Sequence, residues 1–183
     1  RRDDGRPIAL GVQPRVAIIV PCWNEEAHLA RTVDSLLALD YPRERLSIVV
    51  VDDGSTDATL AVAKGYRANP QVSVLHKENG GKYTALNLGL AHIGSSADLV
   101  GCLDADSRVE REALRTMVNV FADPGVMAVT PLIKVDGPRT VMEKVQSVEY
   151  ITSGFLRDVL GAINALLVTP GPYSLYRRAV FDT

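Results

Sequence analysis

The chain has 183 residues, of which 46% are hydrophobic and 23% charged, and its formal net charge is -2 at pH 7. These values are ordinary for one globular domain with a buried core, and the slightly acidic balance is not typical of a nucleic-acid-binding protein. No apolar run approaches the roughly 20 residues that a membrane-spanning helix needs, and no signal peptide is visible.

The chain begins its regular structure with a strand and a helix. Residues 16–20, VAIIV, form a continuous apolar run of the kind found in strands covered on both faces, and Pro21 is expected to end it. Asn24 is a suitable N-cap for the next helix, and Glu25 and Glu26 suit its first turn. Apolar residues then recur at helical spacing: Leu29, Val33, Leu36 and Leu37.

The alternation of strands and helices continues to residue 133. Further strands are predicted at 46–51, 72–76, 98–106 and 125–133, and helices from a cap at 55–57 to about 68, at 83–93 and at 110–121. This order predicts an α/β fold in which a mostly parallel, twisted sheet carries helices on both faces, with right-handed crossovers. We expect residues 1–15 to be an N-terminal arm and residues 16–183 to be one domain.

The pattern changes after Lys134. From Pro138 to about Leu166, one helical stripe is apolar: Val141, Val145, Val148, Phe155, Val159 and Ala162. Interspersed charges predict one amphipathic helix or two short ones, and not a membrane-spanning helix. Two interpretations stay open, because the stripe can pack against the sheet or can face a membrane surface or an acceptor groove.

Two pairs of carboxylates stand at predicted strand ends. The sequence VVVDDGSTD places Asp52 and Asp53 after the second strand, and LDAD places Asp104 and Asp106 at the end of the fourth. In such a sheet these ends meet at one edge, where α/β proteins bind ligands. Because carboxylates repel one another, a divalent cation that also holds phosphate oxygens is a suitable partner for Asp104 and Asp106. The alternative for this pair is a solvated acidic turn.

Other residues near strand ends fit a nucleotide. Trp23, the only tryptophan, follows the first strand and is suited to stack on a base, with a core aromatic as the alternative. The sequence GGK places Lys82 at a helix start, where it suits a diphosphate, although this is not a P-loop. No GxGxxG follows the first strand, which disfavours a dinucleotide-binding domain. Cys22 and Cys102 lie in or beside apolar runs, which predicts buried free thiols in preference to a disulfide or a metal site.

Five motifs together carry a resemblance to a known family. IIVPCWNEE, VVVDDGSTD, NGGKYTALNLGL, LDADS and GPYSLYRR, in this order and spacing, resemble the inverting family 2 glycosyltransferases with the GT-A fold. The resemblance covers about residues 16–178. GPYSLYRR and the long helix before it are most similar to the branch of polysaccharide synthases that make hyaluronan, chitin oligosaccharides and poly-N-acetylglucosamine.

The resemblance implies a nucleoside pocket built on the Rossmann-like half of the fold. Pro21, Trp23 and Glu25 would line this pocket, and Asp53, with Asp52 beside it, would bind the uracil or ribose. A carboxylate can accept a hydrogen bond from a base N–H, which agrees with that role.

The resemblance also implies a catalytic pair of carboxylates. Asp106 would lie nearest a bound Mg²⁺ or Mn²⁺ ion, Asp104 nearer the donor sugar, and Lys82 near the nucleotide or its diphosphate. The ion would neutralise the diphosphate leaving group of a UDP-sugar. An acceptor hydroxyl would then attack the anomeric carbon from the opposite face and invert it.

The family's catalytic base would come from a third acidic motif after a YRR-like strand, with a Gln-x-x-Arg-Trp motif later, and the chain ends before either. We therefore expect a C-terminally incomplete fragment that binds donor far better than it transfers sugar. The parent protein would act at the cytoplasmic face of the cell membrane. It would take a hexose or N-acetylhexosamine from a UDP-sugar to a saccharide acceptor, without a nucleic-acid partner.

Two other classes of function stay open. A non-catalytic nucleotide-sugar binding module would bind donor without turnover. A Mg²⁺-dependent receiver-like signalling domain also gathers acids at parallel strand ends, but its phosphoacceptor Asp would end the third strand. Here that strand ends in His76 and Lys77, which speaks against this class.

Overall fold

A six-stranded sheet lies at the centre of the residues that the computed structural model describes, which are 13–135, 137–163 and 173–181. The strands are β1 (Val16–Cys22), β2 (Leu46–Asp53), β3 (Val72–Lys77), β4 (Leu99–Leu103), β5 (Ala128–Val129) and β6 (Tyr173–Arg177). The helices are α1 (Leu29–Leu37), α2 (Thr59–Lys64), α3 (Lys82–Ile93), α4 (Ala113–Val120) and α5 (Val141–Ala162), with 3₁₀ turns at Arg43–Arg45 and Arg178–Phe181.

The strand order is β3-β2-β1-β4-β6-β5. Strands β1 to β4 pair in parallel, whereas β6 pairs antiparallel with both β4 and β5. The predicted α/β fold with a mostly parallel sheet is therefore confirmed. The strand pattern did not predict that a segment 70 residues downstream would insert as β6 between β4 and β5, because pairing between distant strands leaves no local signal.

Helices cover both faces of the sheet. All seven residues of β1 are buried, and alternate side chains enter two separate apolar clusters, as the two-residue period of a strand requires. Ile18 and Val20 pack with α1, α2 and α4, while Ala17 and Ile19 pack with α3. This arrangement explains the uninterrupted apolar run of the first strand.

Several predicted boundaries are wrong. Asn24 does not cap a helix: it has a φ of 55°, and α1 begins only at Leu29. Pro21 does not end β1, because the strand pairs with β2 as far as Cys22. The second helix ends at Lys64, the fourth strand ends at Leu103 before its acids, and β5 has two residues.

Helix α5 is one continuous helix, closed at its start by a capping box between Thr140 and Glu143. Most of its apolar stripe faces away from the rest of the described structure, with Val141 80%, Val148 63% and Phe155 70% exposed. The residues that lie closer to the body are mainly small or polar, and Gly154 is buried against Leu132. The interpretation that these stripe residues pack against the sheet is therefore wrong. Ala162 also belongs to the predicted stripe, but its side chain lies outside the described residues.

A membrane-spanning helix was not expected, and no helix in the described ranges combines the length and apolar character needed to cross a bilayer.

Candidate functional site

The acidic strand ends lie at one edge of the sheet. Strand β1 lies between β2 and β4 and runs parallel to both, so the carboxyl ends of all three strands point the same way. In the register of the sheet Cys22 pairs with Asp52, and Asp104 directly follows β4. The sheet therefore brings Asp52, Asp53 and Asp104 to the edge at which ligands of α/β proteins bind.

Asp53 is the anchor of the turn that contains GGK. The residue is 3% exposed, and its side chain accepts hydrogen bonds from Lys77 Nζ at 2.5 Å, Gly80 N at 3.1 Å and Gly81 N at 2.8 Å. Burial by itself would raise the pKa of Asp53, but these donors outweigh it and lower that pKa below its usual 3.8. Asp53 is therefore ionised and largely saturated by donors of its own chain.

Gly81 is fitted to this contact by its backbone. Its φ of 90° is a conformation that side-chain-bearing residues rarely adopt, and it directs the Gly81 N–H towards Asp53. The next residue, Lys82, begins α3 and reaches Asp104 as an ion pair. A continuous chain of contacts thus joins Asp53 to the turn, the turn to Lys82, and Lys82 to Asp104.

Asp52 points to the opposite face of β2 from Asp53 and is fully buried. Its Oδ2 lies 2.7 Å from Nδ1 of His76, which is itself half-exposed, and the backbone N–H of Ser55 approaches at 3.4 Å. Its Oδ1 has no hydrogen-bond partner among the described residues. A buried carboxylate oxygen without a donor is costly, so Asp52 Oδ1 is an unsatisfied acceptor that lies buried near the strand end.

The pair Asp104 and Asp106 lies in a turn beyond β4, closed by a 3.0 Å hydrogen bond from Ser107 N to Asp104 O. Asp104 is held by Lys82, and the exposed Asp106 accepts a 3.3 Å hydrogen bond from Ser107 Oγ. In the described ranges no three His, Cys, Asp or Glu side chains form a metal-binding group. The donor set fits a hard divalent cation only if further oxygens come from a ligand or water.

The loop after β1 packs against the turn after β2. Asn24 N donates to Ser55 Oγ at 3.0 Å, and Glu25 N donates to Thr59 Oγ1 at 2.7 Å. These bonds place the loop of residues 21–26 beside Asp52. Trp23 in this loop is 54% exposed, so the alternative of a core aromatic is wrong.

The other two residues predicted for the pocket differ in accessibility. Pro21 is buried within β1. Glu25 is half-buried, and its carboxylate lies 3.0 Å from His28 Nδ1. Contact of either residue with a nucleoside stays a prediction.

Both cysteines are free thiols, as predicted, but only Cys22 is buried, whereas Cys102 is half-buried. Burial, together with nearby carboxylates such as Asp52, raises the pKa of Cys22 to about 12. Burial also raises the pKa of Cys102 to about 11, although Lys82 opposes the shift. Neither thiol is a thiolate at neutral pH, which argues against nucleophilic chemistry at either residue.

Sequence reasoning missed three residues that organise this edge. Lys77 and His76 end β3 and pair with Asp53 and Asp52, and Thr32 on α1 donates to the backbone of the Asp104–Asp106 turn. From the sequence, His76 and Lys77 serve only as an argument against a signalling domain. Both residues end a predicted parallel strand, and the strand before it in the chain ends in two acids. This pattern is a signal from which the pairing of His76 and Lys77 with Asp52 and Asp53 could have been predicted.

Comparisons with known proteins identify the family of the chain. The sequence profile described as "Glycosyl transferase family 2" matches residues 17–183. The chain is 32% identical to the poly-beta-1,6-N-acetyl-D-glucosamine synthase of Staphylococcus aureus over 91% of the chain and 40% of that protein. It is 41% identical to the beta-monoglucosyldiacylglycerol synthase of Synechocystis sp. over 61% of the chain and 24% of that protein. The chain thus spans less than half the length of these relatives.

Solved structures show the same fold. A mannosyltransferase from Pyrobaculum calidifontis, in complex with GDP-Man and Mn²⁺, superposes with a TM-score of 0.72 at 27% identity over 93% of the chain and 46% of that protein. TarS residues 1–349 of S. aureus, in complex with UDP-GlcNAc, superposes with a TM-score of 0.66 at 24% identity over 92% of the chain and 46% of that protein. The second likeness carries the fold alone.

Proposed function

Since the chain belongs to glycosyl transferase family 2, we propose that it is the donor-binding domain of an enzyme that transfers a hexose or N-acetylhexosamine from a UDP-sugar to a saccharide acceptor. The observation that carries the proposal is the chain of contacts from Asp53 through the GGK turn and Lys82 to Asp104. It joins two acidic strand ends at one edge of the sheet, which argues against the alternative that Asp104 and Asp106 form only a solvated turn. The 32% sequence identity with the poly-N-acetylglucosamine synthase supports a role in polysaccharide synthesis.

The nucleoside end of the donor lies, in this proposal, against the loop after β1. The exposed indole of Trp23 stacks on the base, and Pro21 and Glu25 shape the pocket around it. Asp52 and Asp53 recognise the uracil or ribose. The buried, unpartnered Oδ1 of Asp52 and any lone pair that Asp53 retains are the acceptors proposed for a donor N–H or O–H.

The diphosphate lies towards Lys82, Asp104 and Asp106. Lys82 supplies a positive charge at the amino end of α3, where phosphate oxygens are favoured. Asp106 would hold the divalent cation, Mg²⁺ or Mn²⁺, and Asp104 would lie nearer the donor sugar. When bound, the cation supplies charge neutralisation of the diphosphate leaving group.

The reaction is an inverting displacement at the anomeric carbon. An acceptor hydroxyl attacks from the face opposite the diphosphate, and its proton passes to a general base. Asp104 and Asp106 serve the leaving group in this proposal, so neither is free to take that proton. We assign the base to no residue of this chain.

The parent protein, we further propose, works at the cytoplasmic face of the cell membrane. The exposed apolar stripe of α5 supports a surface that meets a membrane or an acceptor groove. Binding of the chain to lipid vesicles, compared with a variant in which Val148 and Phe155 are serine, tests the membrane alternative. Equal recovery of both forms with the vesicles would contradict it.

Calorimetry of UDP binding tests the donor site. UDP should bind more tightly with Mn²⁺ or Mg²⁺ than with a chelator, because Asp106 and the diphosphate share the cation. Asp106→Asn keeps one oxygen ligand but removes the charge, so it should abolish most of this metal-dependent gain. Glu112→Gln, an exposed acid at the start of α4, is the control and should leave the gain intact.

Uridine separates the two acidic strand ends, since it has no diphosphate. Its affinity should be unchanged in Asp106→Asn and should fall in Asp53→Asn by about 1–2 kcal/mol, the range for losing a charged hydrogen bond. Equal UDP affinity with and without metal would contradict the metal site. Equal loss of uridine binding in both variants would contradict the division of labour.

A non-catalytic nucleotide-sugar binding module is the second candidate. It is kept because the proposed mechanism assigns the general base to no residue of this chain, whereas donor binding needs no base. Tight UDP-sugar binding without release of UDP, in a protein with the full length of the relatives, would decide for the module.

A further inference from the structure

The turn that carries Asp104 and Asp106 is not held by the sheet. Strand β4 ends at Leu103, and its last pairings, with Tyr173 on one side and through Cys102 with β1 on the other, lie before the acids. A turn that extends beyond its strand needs other contacts to keep two side chains in one geometry. Lys82 on α3 holds the Asp104 side chain, and two hydroxyls of α1 form hydrogen bonds with the backbone of the segment that carries both acids.

Thr32 makes the first of these contacts. This residue lies on the inner face of α1 and is 1% exposed. Its Oγ1 donates to the carbonyl oxygen of Ala105 at 2.6 Å, while the carbonyl of His28 lies farther away at 3.4 Å. Ala105 is the residue between the two acids, so one buried hydrogen bond fixes the backbone that both carboxylates share.

Ser35, three residues later on the same helix, makes the second contact. Its Oγ donates to the carbonyl of Thr32 at 2.7 Å and accepts from the backbone N–H of Val109 at 3.2 Å. A hydroxyl has one proton, so donating inward leaves its lone pairs free for Val109. The two hydroxyls therefore form hydrogen bonds with both ends of the segment from Ala105 to Val109.

We propose that Thr32, assisted by Ser35, is the positioning residue of the Asp104–Asp106 turn, and that its hydroxyl sets the turn's affinity for a metal-bound nucleotide. This inference rests on the proposed donor site. Thr32 is 73 residues from Ala105 in sequence, and the hydrogen bonds described for its hydroxyl go to backbone carbonyls and not to either acid side chain. It acts through the backbone, as groups behind metal ligands do, whose loss typically lowers metal affinity by about 10- to 100-fold.

Thr32→Val and Thr32→Ser test the hydroxyl. Valine keeps the shape of threonine but leaves the Ala105 carbonyl buried without a donor, whereas serine keeps the donor. The measurement is the ratio of UDP affinity with Mn²⁺ to UDP affinity with a chelator. We expect Thr32→Val to lower the ratio by about ten-fold, Thr32→Ser to keep most of it, and both to bind uridine like the unchanged protein. The control is Thr116→Val, on α4, whose hydroxyl donates only to the carbonyl one turn earlier in its own helix.

Ser35→Ala keeps the test open if Thr32→Val does not fold. It removes a half-buried hydroxyl and should lower the same ratio by a smaller factor, without changing uridine affinity. A full ratio in a folded Thr32→Val or in Ser35→Ala would overturn the inference while leaving the donor site standing. A ratio of one in the unchanged protein would instead overturn the metal-dependent donor site, and this inference with it.

Discussion

At the scale of single residues, the two adjacent acids after β2 have separate environments. Because successive side chains of a strand point to opposite faces, Asp52 meets His76 and Asp53 meets Lys77 and the GGK turn. The repulsion between the two carboxylates is offset on each face by a different donor. A ligand is therefore not needed to explain Asp53, whereas the unpartnered Oδ1 of Asp52 still lacks a donor.

Asp53→Asn should destabilise the fold. An amide cannot accept from Lys77, Gly80 and Gly81 together without turning its NH₂ towards a donor, and we expect a loss of about 2 kcal/mol in the free energy of unfolding. Denaturant unfolding measures this loss. Asp40→Asn, which breaks the exposed pair with Arg115, is the control and should cost less than about 1 kcal/mol.

Asp53 should also contribute to the loss of folding stability at acid pH. The folded pKa of Asp53 lies below its usual 3.8, so the folded state binds fewer protons than the unfolded state at low pH. Its contribution should be complete above the unfolded pKa of about 4 and should be lost as the pH falls through the lower folded value. Melting temperatures measured from pH 6 downwards should fall less steeply in Asp53→Asn. Parallel curves for the two proteins would contradict this assignment.

At the scale of elements, the close approach of α3 to β1 depends on a glycine. Gly89 is buried, and a Cβ built on it would lie 2.7 Å from Cγ2 of Ile19, which is itself buried. This contact lets α3 lie against the sheet so that its first residue, Lys82, reaches the edge where Asp104 lies. The amphipathic pattern of α3 does not reveal this close approach, because from sequence alone a glycine in a helix indicates only low helix propensity.

Gly89→Ala should destabilise the protein although alanine favours helix. The gain in helix propensity is about 1 kcal/mol, and overpacking against Ile19 costs about 1–3 kcal/mol, so we expect no gain or a net loss. Gly161→Ala on α5 is the matched control, because a Cβ there meets no atom within 4 Å. Denaturant unfolding should give Gly161→Ala a stability equal to or above that of the unchanged protein. A stabilised Gly89→Ala would show that β1 and α3 can separate freely.

At the scale of the whole molecule, the described structure contains the sheet edge that we propose binds the donor and a large exposed apolar surface on α5. The apolar stripe of α5 points outwards while smaller and more polar residues of the helix face the body. Exposed stripes of this kind mark surfaces that meet a partner or a membrane. The chain spans 40% of the length of the poly-N-acetylglucosamine synthase, and the proposed mechanism assigns the general base to none of its residues.

Binding and turnover should therefore separate. The 183-residue chain should bind UDP with metal but release UDP from a UDP-sugar and acceptor far more slowly than a protein of the relatives' length that contains it. The reason is that no residue of the chain has been assigned as the general base, whose contribution is typically about 10²- to 10⁴-fold. UDP release measured for both proteins checks this, and comparable rates would place the base within the chain.

The sequence by itself determined the α/β fold, the apolar strands and the positions at which acids follow them. These features are local: continuous apolar runs indicate burial on both faces, and acids and turn residues lie near the strand ends, although Asp52 and Asp53 still pair within β2. The five motifs added the family and the expected donor chemistry. For that reason the edge of the sheet holding Asp52, Asp53, Asp104 and Lys82 was predictable.

Only the tertiary structure decided which donors reach those acids. Lys77 and Gly81 meet Asp53 from 24 and 28 residues away, and Thr32 meets the backbone between Asp104 and Asp106 from 73 residues away. It also decided that β6 inserts beside β4 and that the stripe of α5 faces outwards. The physical reason is that periodicity reports how polar each face of an element is, whereas its partner depends on strand pairing and packing between elements distant in sequence.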